Sequence, residues 1–145
     1  MRPRGIAGWL SGIFLLLALT APAWACRCPA EPSAATAYQR ADVVVQATVL
    51  AVQGDINQDG ATARLRVLRA WKRPVGAEIE VRTATTCAFD FQSGTSYLLY
   101  LTVSADGAQY STKRCMGNQP LAGAGKALDW LQRHGAPVSV EGRAP

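Results

Sequence analysis

The chain has 145 residues, of which 49% are hydrophobic and 17% charged, with a formal net charge of +5. Arg2 and Arg4 sit in an amino-terminal leader, and without them the charge is about +3, too small a balance to imply a nucleic-acid partner. Beyond that leader no apolar run is long enough to span a membrane as a helix, which needs about 20 residues.

The leader itself has the three parts of an export signal. Arg2 and Arg4 give a basic start, Gly5 to Thr20 an apolar stretch, and Ala23-Trp24-Ala25 an A-x-A cleavage site. Residues 1–25 therefore read as a signal peptide, and the mature protein as secreted or periplasmic. Cleavage after Ala25 would make Cys26 the first residue and give it the free α-amine. The remaining 120 residues suit one domain, residues 26–135, followed by a flexible tail over 136–145.

Pro29 to Pro32 reads as a stiff linker and Ser33 to Arg40 as a short helix capped by Ser33. The β-branched run Asp42 to Val52 predicts a long buried strand. Gly54 to Gly60 reads as a polar turn, and Arg64 to Trp71 as a second strand whose alternation slips near Leu68, as at a bulge. Glu78 to Arg82 alternates strictly, which marks a strand with one wet face. Two more strands are expected over Ser96 to Val103 and, after the Asp106-Gly107 turn, over Gln109 to Thr112. Leu121, Leu128, Trp130 and Leu131 then repeat at helical spacing in a segment that Pro120 opens and Gly135 closes. The fold class is mainly β: a five-stranded OB-fold-like barrel, closed or partly open, with a short helix at its amino-terminal side, a second at its carboxy-terminal side and two disulfides.

The four cysteines, Cys26, Cys28, Cys87 and Cys115, all follow the cleavage point, and an even count in an exported chain indicates two bridges. A bridge within Cys26-Arg27-Cys28 would close a strained ring, so the favoured pairings tie Cys26 and Cys28 to the two distant cysteines. Either pairing staples the amino terminus to the barrel. A lipid on Cys26 would forbid its bridge and make an envelope-anchored protein. Ala23 argues against that, because lipoprotein signals usually carry Leu at that place.

Little else in the chain suggests catalysis. His134 is the single histidine, sits at a helix end, and has no thiol free to pair with. The carboxylates are scattered over turns and wet faces, so no enzyme and no cofactor is expected. Asp55 to Gly60 matches the first half of a calcium loop, but its completing position is Arg66, and a hairpin turn explains the segment equally well. Arg64, Arg66, Arg69, Lys72, Arg73 and Arg82 cluster on neighbouring strands as a candidate polyanion surface or a solvated face.

Several segments together resemble a netrin-like (NTR) domain, the superfamily that includes the tissue inhibitors of metalloproteinases. They are Cys26-x-Cys28, Thr36 to Ala47, Val67 to Lys72, Cys87 followed by Phe91-x-x-Gly94-x-x-Tyr97-Leu98, and Cys115 before the last helix. The likeness spans nearly all of residues 26–133. It implies bridges from Cys26 to Cys87 and from Cys28 to Cys115, in an OB-like barrel. It further implies a zinc metalloprotease inhibitor whose Cys26 amine and carbonyl chelate the target's catalytic zinc. Arg27 would then point into the specificity pocket, Cys28 and Pro29 would continue the wedge, and Thr85 and Thr86 would lie beside it. Arg27 stands where the family inhibitors commonly have a small residue, Gln39 where they have another cysteine, and Ala88 where glycine is frequent. The expected partner is a secreted zinc metalloprotease, with neither nucleic acid nor, unless Cys26 is lipidated, a membrane; the protein is expected to be a monomer. The alternative function is a non-inhibitory exported module that binds a protein or a polyanion.

Overall fold

A computed structural model describes residues 26–142, so the expected leader over 1–25 and the last three residues of the expected tail lie outside the described residues. Strand β1 (Val43–Asp55) pairs antiparallel with β2 (Gly60–Trp71), and β2 with β4 (Glu78–Thr83). The short strand β3 (Val75–Gly76) lies in the connection between β2 and β4. Strand β5 (Ser96–Val103) returns to pair with β1, and β6 (Tyr110–Ser111) joins β5 antiparallel and β4 parallel. The ring β1-β2-β4-β6-β5 is thereby closed, with one parallel pair, as an OB-fold-like barrel.

The register carries the expected slip. Gln46 lies opposite Arg69 and Ala47 opposite Val67, so β2 gains one residue at Leu68; β1 gains one in turn at Leu50, between Val49↔Leu65 and Ala51↔Arg64. Such bulges sharpen twist and let long strands curl around a small barrel. Val43, Val45, Ala47 and Val49 of β1 fill the barrel with Leu65, Val67, Leu99 and Leu101. The opposite face of the same strands is buried too: Val44, Trp71, Leu98 and Tyr100 lie under helix α1 (Ala34–Arg40) and helix α2 (Gly125–His134). Burial on both faces explains why β1 and β5 read as continuous apolar runs, whereas β4 alternates exposed and buried along its whole length.

Ser33 caps α1 by accepting from the Thr36 N–H at 3.2 Å, as expected. Lys72 holds its other end. Its Nζ donates to the carbonyls of Tyr38, at 2.8 Å, and Ala41, and it lies 5.0 Å from the Tyr38 ring centre. That position puts Lys72 in the left-handed region, at φ 76°, where the chain leaves β2.

Two expectations change. Helix α2 does not begin at Pro120. A 3-10 turn occupies Leu121–Gly123 and the α-helix starts at Gly125, because Gly123 and Gly125 weaken helix propagation across this segment. Beyond β7 (Gln119–Pro120), which pairs with β5, the tail is not loose through residue 141: β8 (Pro137–Val138) pairs with the end of β2, and β9 (Val140–Glu141) runs parallel to β3. Gly135 permits this return, since a Cβ there would fall 2.8 Å from the Trp71 ring and 2.6 Å from the Leu131 carbonyl. Among the described residues no helix is long and apolar enough to cross a membrane.

Candidate functional site

Both disulfides meet at one end of the barrel. Cys26 is bonded to Cys87 and Cys28 to Cys115, spanning 61 and 87 residues, and no cysteine is free. The two bridges lie side by side, with Cys26 Sγ 3.9 Å from Cys115 Sγ. Arg27 and Pro29 are exposed while Cys26 and Cys28 are half-buried, so the alternate residues of this terminus face solvent on a covalently fixed backbone. Two bridges of this kind are compatible with an oxidising, extracytoplasmic compartment.

The segment 84–88 runs beside that terminus. Thr85 has φ 75°, a left-handed conformation that a β-branched residue rarely adopts. Its carbonyl accepts from the Ala88 N–H at 3.1 Å and its hydroxyl from the Cys87 N–H at 3.4 Å, which together close a tight turn. The turn is anchored on its far side. Buried Thr83 accepts from the Phe89 N–H at 2.6 Å, and Phe89 packs edge-to-face on Phe91 and Tyr97 at 5.0 and 5.4 Å. Strain held by packing and a crosslink marks functional surfaces more often than passive ones.

The other bridge has its own support, which the sequence did not reveal. Asn118 accepts from the Tyr100 N–H at 2.8 Å and donates to the Thr112 hydroxyl at 2.7 Å and the Lys113 carbonyl at 2.9 Å. Thr112 in turn donates to the Tyr100 carbonyl at 2.8 Å. The Arg114 N–H donates to the Cys87 carbonyl at 2.9 Å, which joins the two disulfide loops through the backbone. The legible hint was the polar pair Gly117-Asn118 after Cys115, with Gly117 at φ 95°.

The long β1–β2 hairpin stands beside these loops. Gly60 lets it approach: a Cβ there would lie 2.5 Å from the Thr83 carbonyl and 2.7 Å from Ala84 Cβ. At the tip, Asp55 Oδ1 accepts from the Asn57 backbone and side chain at 2.8 and 3.0 Å, and Oδ2 accepts from Gln58 at 3.1 Å. These donors, the Asn57 N–H first, hold the Asp55 carboxyl below its ordinary value. They also occupy the oxygens a calcium ion would need, and Arg66 pairs with Glu78 at 3.6 Å instead of completing a loop, so the hairpin explanation accounts for the motif. Between tip and turn lies an open cleft of about 460 Å³ lined by Ile56, Asn57, Gln58, Thr85, Thr86 and Arg114, with Ala88 beside them.

Five of the six basic residues lie against an acid, a ring or a carbonyl, and the sixth, Arg73, is exposed. Arg64 faces Glu80 and Arg66 faces Glu78 across the β2–β4 pair, Arg69 lies over the Trp71 ring at 5.2 Å, and Lys72 is committed to α1. Arg82 donates to the Asp59 carbonyl at 3.0 Å. With acids interleaved among them, these cations make a solvated sheet face and a poor polyanion groove. His134 stacks on Trp130 at 5.1 Å in the last turn of α2.

No protein-family model matches this chain, and no curated protein does.

Proposed function

We propose that the chain is an exported inhibitor of a zinc metalloendopeptidase, with the mature terminus at Cys26 as the reactive element. The observation that carries this proposal is the convergence of both disulfides on Cys26-Arg27-Cys28, alongside a strained Thr85-Thr86 turn. Inhibition at a catalytic metal needs a ligand that does not lose entropy on binding, and two crosslinks reduce that loss before the partner arrives. A neutral α-amine with the Cys26 carbonyl would complete the zinc's coordination in the complex and take the place of the reactive water. Arg27, exposed between two fixed sulfurs, would enter the adjoining specificity pocket. Pro29 would continue the wedge, and Thr85 and Thr86 would flank it.

The amine must be unprotonated to bind metal, and its ordinary pKa is about 7.7 to 8.0. Inhibition should therefore strengthen as pH rises from about 6 to 8. The direct test compares protein beginning at Cys26 with protein carrying one additional Ala before it, against a panel of secreted zinc endopeptidases. The extension should weaken inhibition at least about 100-fold, the scale of one lost metal chelate at 1.4 kcal/mol per decade, with no change in melting temperature. Equal inhibition by the two forms would contradict the proposal. A lipid on the Cys26 sulfur, detected by intact mass, would forbid the Cys26–Cys87 bridge that fixes the terminus and leave an envelope-anchored protein.

A further inference from the structure

The cleft between the hairpin tip and the Thr85 turn has one charged lining residue, Arg114, and no acidic one. Among the described residues the Arg66–Glu78 pair is the ion pair present, and the Arg114 guanidinium has no hydrogen bond to another side chain. Its backbone is nevertheless fixed, by the N–H bond to the Cys87 carbonyl and by the crosslink at neighbouring Cys115. An immobile backbone thus presents an uncommitted cation. Across the cleft, Asp55 consumes side-chain N–H donors of both Asn57 and Gln58. Their amide oxygens remain as acceptors, with the Thr86 hydroxyl beside them. One cation facing neutral acceptors suits a peptide: a carboxylate accepts from Arg114 while backbone N–H groups donate to the amides. A multiply charged anion would find a single positive partner and no second.

We infer that this cleft receives an Asp or Glu side chain from an extended segment of the partner protein. The inference rests on this end of the barrel being the partner-binding face. Arg114 is then a specificity-determining residue for that partner, set apart from the zinc-directed terminus and selecting among targets by the acid they present.

The test uses isotopically labelled protein beginning at Cys26 and two capped tripeptides, acetyl-Ala-Glu-Ala-amide and its Gln counterpart. In NMR titrations the Glu peptide should shift the amides of Asn57, Thr85, Thr86 and Arg114, and bind about threefold more tightly than the Gln peptide, as one exposed ion pair allows. Salt should erase that margin, and so should Arg114→Gln, whose spectrum elsewhere must match the parent to confirm its fold. Arg114→Lys should keep part of it. Equal binding of the two peptides, shifts mapping elsewhere, or an undiminished margin in Arg114→Gln would overturn the inference. Extension by Ala before Cys26 leaves this binding intact. Peptide discrimination without protease inhibition would therefore sink the inhibitor proposal alone, and inhibition without discrimination would sink the cleft alone.

Discussion

The barrel interior and the disulfide end reach rigidity by opposite means. Inside, Val43, Val45, Leu65, Leu99 and Leu101 are fully buried and held by close packing along continuous ladders. At the disulfide end, Arg27, Pro29, Thr85 and Thr86 are exposed, and order comes from two covalent links and a few backbone hydrogen bonds. Packing needs a surface to hide, whereas a surface meant for a partner must stay available. Crosslinks resolve that conflict, because they stiffen a segment without covering it.

The largest way to break the comparison is to remove one link. Replacing Cys28 and Cys115 together by Ser opens an 87-residue loop and should lower stability by about 4 kcal/mol in the chain-entropy picture, measured by denaturant unfolding. Protease inhibition should fall as well, even at temperatures where the barrel remains folded. Leu99→Ala, in the interior, should cost about 3 kcal/mol through its cavity yet leave inhibition per folded molecule unchanged. If Leu99→Ala weakened inhibition as much as the lost bridge, the two regions would not be mechanically separate.

Tyr100 supplies a sharper probe of the packed side. It is 1% exposed, its hydroxyl has no partner among the described residues, and burial pushes its pKa up to about 12. An unfolded tyrosine ionises near pH 10, so between about pH 10 and 12 the unfolded chain releases a proton that the folded chain keeps. Stability from this group is complete below pH 10 and should decline by about 2 to 3 kcal/mol by pH 12. Tyr100→Phe should remove that component of the slope and change neutral-pH stability little, since no hydrogen bond is lost. An unchanged alkaline slope would show that Tyr100 ionises normally. The smallest effect belongs to Thr85→Gly. Relief of the left-handed strain should stabilise the fold by up to about 1 kcal/mol, while the looser turn should weaken inhibition severalfold; stabilisation with full inhibition would make the strain incidental.

The parts of this fold legible in the sequence are those fixed by local chemistry. Strict alternation placed β4, the phase slip at Leu68 announced the bulge, and Ser33 announced the start of α1. The pairing of cysteines came through family resemblance, because spacing alone admits several connectivities. What escaped was non-local. Val138 and Val140 gain their strand partners from β2 and β3, more than 60 residues back, so the tail looked unstructured when read by itself. Arg114 looked like one cation among fifteen basic residues until the fold set it opposite Asn57 and Gln58 as the one charged residue lining the cleft. Lys72 misled in the other direction, since its charge suggested surface and its work is to cap α1 from beneath.

The metal ligation proposed for Cys26 would be visible directly in the absorption spectrum of a target protease whose zinc is replaced by cobalt. Addition of protein beginning at Cys26 should shift the cobalt d–d bands as a nitrogen ligand replaces water, and protein extended by one Ala should leave them in place. Identical spectra with the two forms, under conditions where both bind the protease, would contradict chelation by the Cys26 amine.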